Sequence, residues 1–160
     1  MVAVVPMDSS QSVSEITFVA FDFETTGLHP ATDRIIEVGA VKFRAREVLE
    51  TFDELVNPGI PVSPDAIKVS GITEEMLASK PSIDQTLPRF LQFIGDSVLV
   101  AHNAPFDVSF LRAALETTRR GEVTNMVVDT QVLAQKAYPR LKSYSLQNLV
   151  AHLELAQGNA

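Results

Sequence analysis

The sequence predicts an α/β domain in which helices cover both faces of a mixed sheet. Three apolar, strand-like segments, at 16–23, 35–43 and 48–56, follow one another near the start of the chain. Helical and strand-like segments then alternate. A strand meander followed by such an alternation is typical of a mixed sheet with helices packed on it. The length of 160 residues and the composition, 46% hydrophobic and 21% charged, are those of one globular domain.

The first three segments are predicted to form a meander. The first suits a buried strand, because only Thr17 and Asp22 interrupt its apolar run. The next two are joined by the short link 44–47, which predicts a hairpin. A turn at 57–59 ends the meander, and the prolines at 61 and 64 then predict an irregular segment.

The first helix is predicted from a capping box formed by Ser82 and Gln85. Apolar residues repeat at helical spacing from Leu87 to Ile94, and Gly95 is a stop signal. The remaining predicted elements are a strand at 98–101, a helix that begins near Ala104 and Pro105 and has Gly121 as its stop signal, a strand at 126–128, a helix through Ala137 and a final helix capped by Ser145.

Charge and missing signals narrow the function classes. A formal net charge of −7 argues against a general duplex-binding protein, which would cluster Lys and Arg against phosphates. It is compatible with a nucleic-acid enzyme, since a carboxylate cluster that binds cations also adds negative charge. The sequence has no cysteine, no membrane-length apolar run and no secretory signal at its start. We therefore expect a cytoplasmic protein with no membrane partner.

Asp22 and Glu24 come at the end of the first predicted strand. Side chains two positions apart leave the same face of a strand, about 7 Å from each other. Two carboxylates there repel each other, and burial raises the cost of ionising them. A divalent cation between them removes that cost, and oxygen ligands suit Mg²⁺ or Mn²⁺. The alternative is a pair of acids that face water, as most acidic residues do.

The next four residues, Thr25, Thr26, Gly27 and Leu28, predict a turn. Small hydroxyl residues and a glycine allow backbone amides to approach a ligand, as in phosphate-binding loops. A simple turn that ends the strand explains the same residues.

A second polar group follows the strand at 98–101. His102 and Asn103 come at its carboxyl end, where α/β sheets tend to bind ligands. A structural histidine that bonds a neighbouring loop is an equal alternative for His102. Asp107 falls in the first turn of the next helix, where the helix dipole favours an acid whatever its function. Asp129 is interpreted as a helix N-cap.

Taken in order, these segments resemble the four-carboxylate (DEDD) exonucleases. Residues 21–28, Phe-Asp-Phe-Glu-Thr-Thr-Gly-Leu, resemble the first motif of that family, and residues 102–107, His-Asn-Ala-Pro-Phe-Asp, resemble the second. The segments 35–40 and 57–76 also look like the proofreading epsilon subunit of bacterial DNA polymerase III and its relatives. The resemblance covers roughly residues 16–155.

The resemblance implies a ribonuclease H-like fold and a 3′→5′ exonuclease that uses two divalent cations, Mg²⁺ or Mn²⁺. Asp22, Glu24 and Asp107 would be the metal ligands and catalytic residues. One cation would activate a water and the other would stabilise the leaving 3′ oxygen. The implied substrate is a single-stranded or frayed 3′ end of DNA, with RNA as an alternative. A DNA polymerase subunit is the implied partner.

The resemblance also implies a substrate-binding set. The backbone of the Thr26-Gly27-Leu28 turn would hold the terminal nucleotide, Leu28 and Phe106 would lie against the bases, and Asn103 would lie near the sugar-phosphate. Thr25 and His102 complete this set.

One family feature is not found. The histidine-bearing branch carries a general-base His five residues before a fourth carboxylate, on a late helix. His152 fails this pattern, because the residue five positions later is Gln157. Ser70 is a lesser departure, since many relatives carry His there. We therefore expect a flexible tail at 1–14, an exonuclease domain at 15–160 that ends before the third motif, and little or no activity of this chain. A non-catalytic module that binds nucleic acid or a polymerase is the alternative from another class.

Overall fold

The computed structural model describes residues 12–155. Its strands and helices are, in chain order, β1 (Thr17–Thr25), β2 (Ile35–Arg44), β3 (Glu47–Leu55), α1 (Pro64–Ser70), α2 (Glu74–Leu77), α3 (Ile83–Ile94), β4 (Val98–Ala101), α4 (Ala104–Thr117), β5 (Val127–Asp129), α5 (Thr130–Ala137) and α6 (Leu146–His152). A short 3-10 helix, Val13–Glu15, precedes β1. Residues 1–11 of the expected tail and residues 156–160 of the expected domain lie outside the described residues.

The five strands form one mixed sheet in the order β3-β2-β1-β4-β5. The first three form the expected antiparallel meander, and β4 and β5 run parallel to β1. Because β1, β4 and β5 are parallel, their carboxyl ends lie at one edge of the sheet. These ends are Thr25, Ala101 and Asp129. The polar residues that follow the three strands are therefore brought together.

A cluster of phenylalanines joins the sheet to α3. Phe90 is 1% exposed, and its ring centroid lies 6.1 Å from that of Phe21, 5.7 Å from that of Phe23 and 5.7 Å from that of Phe52. Buried residues of α4, including Phe110, belong to the same core. Burial of these rings holds one side of β1 rigidly against α3 and α4. The side chains of β1 at alternate positions are left for the opposite side of the sheet.

Helix α3 begins and ends as predicted, at the Ser82–Gln85 capping box and at Gly95. It also contains Pro88, which has no N–H to donate to the carbonyl of Asp84. The guanidinium of Arg120 donates to that carbonyl instead, at 3.4 Å. A contact from the residues after α4 thus replaces the missing helical hydrogen bond.

The segment after the meander is not irregular throughout, so the prediction drawn from its prolines is wrong there. Pro64 occupies the start of α1, where proline is well tolerated, and Ser63 caps this helix. Thr73 caps α2 in the same way. With seven and four residues, the two helices are too short for apolar periodicity to reveal them.

Helix α4 ends at Thr117, before the expected stop signal at Gly121. Arg119 has a φ of 52°, in the left-handed region. The backbone N–H of Arg120 donates to the carbonyl of Leu115 at 2.9 Å. This is the long bond of a Schellman motif, and Arg119 holds the position at which glycine is usual. A side chain in that conformation costs about 1 kcal/mol.

The C-terminal helices begin at their predicted caps. Asp129 caps α5 and Ser145 caps α6. Leu149 of α6 is buried, whereas Leu153 and Leu155 are exposed. None of the helices between residues 12 and 155 is long and apolar enough to cross a membrane.

Arg119→Gly should stabilise the protein by about 0.5–1 kcal/mol, because glycine adopts the left-handed conformation without steric cost. Arg112→Gly is the matched control: Arg112 is an exposed residue inside α4, where glycine should destabilise by about 1 kcal/mol. The free energy of unfolding in urea measures both changes. Equal losses of stability in the two variants would contradict the assignment of Arg119 as the helix-terminating residue.

Candidate active site

β1 places Asp22 and Glu24 on the side of the sheet opposite its buried phenylalanines. Phe21 and Phe23 are 5% and 4% exposed, which orients the alternate side chains away from that core. In the β1–β2 register, Glu24 lies directly opposite Glu37. Three carboxylates thus share a small area of one sheet face.

Asp107 reaches β1 from the first turn of α4. Its Oδ1 accepts a hydrogen bond of 3.0 Å from the backbone N–H of Phe23, and the residue is 2% exposed. Pairing between β1 and β4 stops at Ala20 and Val100, which leaves this N–H without a strand partner. The carboxylate of Asp107 satisfies it and therefore lies beside the peptide that joins Asp22 to Glu24.

Burial and like charges raise the pKa values of the acids in this area. The pKa of Asp107 is raised to about 7, chiefly by burial; the charges of Asp22 and Glu24 add to this rise, and the bond from Phe23 N–H opposes it. The Asp22 side chain is accessible, yet surrounding protein atoms displace enough water to raise its pKa, while the Phe23 amide and His102 oppose that rise. Burial, followed by repulsion from Asp22 and Glu37, raises the pKa of Glu24.

Among residues 12–155, the salt bridges join Lys42 to Glu50 and Arg89 to Glu54, and none of them involves Asp22, Glu24 or Asp107. Oxygen donors held together in this way suit a hard divalent cation, which would offset their repulsion. In the described part of the chain, no three His, Asp or Glu side chains are arranged so that they could hold a metal ion together. Asp22, Glu24 and Asp107 are therefore neighbours whose side chains do not yet form a metal-binding geometry.

The turn after β1 is tightly bonded. Thr25 Oγ1 donates to the carbonyl of Gly27 at 2.6 Å. Thr26 is buried, whereas Leu28 is 74% exposed at the tip of the turn. His29 is exposed. The turn therefore offers an apolar side chain to solvent beside the acids.

His102 has both ring nitrogens engaged. Its Nε2 lies 2.8 Å from the backbone carbonyl of Tyr144, and its Nδ1 lies 2.9 Å from Thr130 Oγ1. A carbonyl can only accept, so Nε2 carries a proton. These contacts correspond to the structural alternative for His102, a histidine that bonds a neighbouring loop. Its ring is still close enough to Asp22 to oppose the rise of the pKa of that acid.

Asp129 caps two helices rather than one. Its carboxylate accepts from the backbone N–H groups of Gln131 and Val132 at the start of α5, as expected of an N-cap. It also accepts from Asn103 N–H at 3.1 Å and from Ala104 N–H at 3.2 Å, at the start of α4. Asn103 itself has a left-handed φ of 59° and provides no side-chain cap. Asp129 therefore fixes the backbone from which Asp107 projects.

The remaining expected substrate residues lie around the same edge. Phe106 is half-buried, and its ring centroid lies 5.0 Å from that of Phe110 in the core. Asn103 is exposed. Nothing in the structure assigns either side chain a substrate contact.

Two residues near the site were missed from the sequence. Glu37 lies across from Glu24, and burial and repulsion from Asp53 and Asp22 raise its pKa. The hairpin register of β1 and β2 could have revealed it. Asp33 bonds the turn after β1, and no pattern in the sequence points to that contact.

Comparison with known proteins decides the family. The model of the exonuclease family matches residues 19–159. The chain belongs to the exonuclease family. Exonucleases hydrolyse phosphodiester bonds of nucleic acids, and this family generally uses divalent metals.

Relatives of this exonuclease domain include bacterial DNA polymerase III proteins. The chain is 44% identical over 146 residues to the PolC-type DNA polymerase III of Caldanaerobacter subterraneus subsp. tengcongensis, covering 91% of this chain and 10% of that protein. It is 43% identical over 142 residues to the DNA polymerase III subunit epsilon of Treponema pallidum, covering 88% and 66%. The chain thus spans about a tenth of the PolC-type proteins and about two thirds of the epsilon subunit.

Solved exonuclease structures have the same fold. Exonuclease X in complex with 5′ overhanging duplex DNA superposes with a TM-score of 0.71 at 29% identity, covering 89% of this chain and 76% of that one. Exonuclease I in the ExoI/SSB-Ct complex gives a TM-score of 0.81 at 20% identity, covering 91% and 38%. The expected ribonuclease H-like mixed sheet with helices is therefore confirmed.

Asp107→Asn should stabilise the metal-free protein at neutral and alkaline pH. The pKa of Asp107 is raised from 3.8 to about 7, so the native state binds more protons than the unfolded state between these values. The stability of the wild type therefore falls as pH rises through that window. Asparagine keeps an oxygen for the Phe23 N–H and carries no charge. The gain should be on the order of 4 kcal/mol at about pH 8 and close to zero at about pH 4.

Urea unfolding in the presence of EDTA measures this gain across the pH range. Asp96→Asn is the control, because Asp96 is an exposed acid in the turn after α3, away from Asp22, Glu24 and Asp107. A constant difference between Asp107→Asn and the wild type at every pH would show that Asp107 does not titrate abnormally.

Proposed function

We propose that this domain is a metal-dependent 3′→5′ exonuclease that acts on DNA 3′ ends, of the proofreading or repair type. The observation that carries the proposal is the bond from Phe23 N–H to Asp107. It brings an acid from α4 to the segment of β1 that holds Asp22 and Glu24. Membership of the exonuclease family supports a nuclease role for this cluster.

We propose that Asp22, Glu24 and Asp107 hold two divalent cations, Mg²⁺ or Mn²⁺. The donor chemistry fits, since all three supply carboxylate oxygens, and burial raises the pKa of each, with repulsion between acids adding to the rise for Glu24 and Asp107. Bound cations would activate the attacking water and stabilise the leaving 3′ oxygen. The bond from Phe23 orients one oxygen of Asp107 and leaves the other for a ligand.

The side chains around the acids supply the proposed substrate contacts. The Thr25–Leu28 turn would present backbone amides to the terminal nucleotide, and the exposed Leu28 would lie against its base. Phe106, backed by Phe110, would form the other side of this contact. Asn103, exposed at the start of α4, would lie near the sugar-phosphate. His102 would hold the neighbouring backbone in place through its bond to the carbonyl of Tyr144.

The proposed reaction needs a general base that removes a proton from the attacking water, and His102 does not provide one. His102 offers no free nitrogen, since both of its ring nitrogens are hydrogen-bonded. No His-x-x-x-x-Asp pattern follows the second motif in the sequence. We therefore propose that this chain by itself is weakly active or inactive. Its rate should be lower than that of an enzyme with a general base by at least the roughly 10²–10⁴-fold that such a base contributes.

A bacterial DNA polymerase is the proposed partner, on the grounds of the two polymerase III relatives. A cytoplasmic location follows from that assignment. An RNA-trimming enzyme is the alternative within the family, and a binding module is the alternative outside it.

Mn²⁺ should raise the unfolding temperature of the wild-type chain, because a cation that binds only the native acids stabilises that state. At a cation concentration of 100 times Kd the gain is about 2.7 kcal/mol. Asp22→Ala should lose most of this gain, whereas the exposed control Asp96→Ala should keep it. Calorimetric scans with and without Mn²⁺ measure the effect, and equal gains in both variants would locate the cation elsewhere.

The chain should shorten a 5′-labelled single strand of DNA from its 3′ end only slowly, in a reaction that requires Mn²⁺ and is abolished by Asp22→Ala. In the same assay the Treponema pallidum epsilon subunit should be at least about 100-fold faster. A parallel RNA strand separates the two nuclease readings. Robust trimming would overturn the proposed weak activity, and failure to bind either strand would overturn the proposed function.

A further inference from the structure

Asp33 lies in the loop that leads from the Gly27 turn to β2. Its two carboxylate oxygens bond two different points of that turn. Oδ1 accepts from Thr26 Oγ1 at 3.1 Å, and Oδ2 accepts from the backbone N–H of His29 at 2.9 Å. The carboxylate therefore spans the turn from its start to its end.

Thr26 continues this connection into the body of the domain. Its backbone N–H donates to the carbonyl of Arg34 at 2.9 Å, and its hydroxyl accepts from Arg34 N–H at 3.0 Å. Thr26 is 4% exposed, so these bonds are shielded from water. The hydroxyl donates to Asp33 and accepts from Arg34 at once, so it links the two residues.

Gly27 lies directly on the Asp33 carboxylate. A Cβ added at Gly27 would come within 2.5 Å of Oδ2 and 2.6 Å of Oδ1 and Cγ, far inside contact distance. Gly27 does not have a positive φ, so its backbone would accept an alanine. A side chain at position 27 would therefore displace the Asp33 carboxylate, whereas the conformation of the turn would tolerate one.

We infer that Asp33 is a positioning residue that holds the Thr26–Leu28 turn in the shape that receives the terminal nucleotide. This inference rests on the proposed function, which assigns that turn to substrate binding. Asp33 lies behind the turn, bonded to Thr26 and His29, and has no direct part in the chemistry. Its removal should loosen Leu28 and the turn amides while leaving the three metal-binding acids in place.

The geometry favours a carboxylate. Both partners of Asp33 donate, and each carboxylate oxygen accepts one of these bonds. In Asp33→Asn the remaining oxygen can accept from His29 N–H, but the NH₂ group can donate to the Thr26 hydroxyl only if that hydroxyl turns its proton elsewhere, so Asp33→Asn should keep one bond and weaken the other. Asp33→Ala loses both. The expected order of affinity for substrate is wild type, then Asp33→Asn, then Asp33→Ala.

The test uses the 160-residue chain and a fluorescein-labelled single-stranded DNA oligonucleotide in the presence of Mn²⁺, with binding followed by anisotropy over times too short for trimming. Asp33→Ala should raise Kd on the order of tenfold, because the turn must be ordered on binding; this corresponds to a loss of about 1.4 kcal/mol of binding free energy. The gain in unfolding temperature with Mn²⁺ should match that of the wild type. Asp96→Ala, a change of the same kind at an exposed acid, should alter neither quantity.

Hydrogen exchange of the His29 amide tests, without substrate, whether Asp33 holds the turn. Exchange should be at least about tenfold faster in Asp33→Ala than in the wild type, because the acceptor of this N–H is removed. A purely structural role would instead weaken the Mn²⁺ response and the oligonucleotide affinity together, and that result would overturn the inference.

Gly27→Ala provides an independent test of the close contact. In the wild-type background this substitution should destabilise the turn and accelerate His29 exchange. In the Asp33→Ala background the added methyl group has space, so Gly27→Ala should change exchange little. Additive effects of the two substitutions would contradict the contact.

The inference and the proposed function fail in different ways. If the wild-type chain does not bind the oligonucleotide, the proposed function is wrong and the role of Asp33 falls with it. If the wild type binds and Asp33→Ala binds equally well, only the role of Asp33 is wrong.

Discussion

The candidate site depends on one hydrogen bond between distant parts of the chain, from the backbone N–H of Phe23 to the carboxylate of Asp107. The bond exists because β4 stops pairing with β1 before Phe23 and leaves that amide free. A buried carboxylate is costly unless hydrogen-bonded, and this amide is the partner that makes the position of Asp107 tolerable. The same bond places Asp107 beside Asp22 and Glu24, whose negative charges help to raise its pKa.

Core packing and hydrogen bonds hold the backbone in place on each side of the site. The phenylalanine core holds β1 from behind through Phe90. Asp129 bonds the starts of α4 and α5 with one carboxylate. Asp33 bonds both ends of the turn after β1. Asp129 and Asp33 thus hold the backbone by hydrogen bonds, whereas the acids of the cluster repel one another. Residue type alone does not distinguish the acids that hold the backbone from those proposed to bind metal.

Much of the fold could be predicted from local patterns. The meander, the capping box of α3 and the caps of α5 and α6 follow from short-range chemistry, and the structure confirms them. Helices α1 and α2 were missed because they are too short to show periodicity. The end of α4 was misplaced because Arg119 takes a conformation that the sequence would assign to Gly121. Contacts of the following residues outweigh the local preference there.

The sequence by itself determined the family and predicted the three acids Asp22, Glu24 and Asp107, because motif residues and their order are local features of the chain. It also indicated that Asp22 and Glu24 share one face of a strand, since alternation in a strand is a property of the backbone. Only the tertiary structure decided that Asp107 bonds Phe23, that Glu37 lies opposite Glu24, that Asp129 caps two helices and that Asp33 lies under Gly27. These contacts depend on how strands and helices pack, which is set by the whole core and not by neighbouring residues.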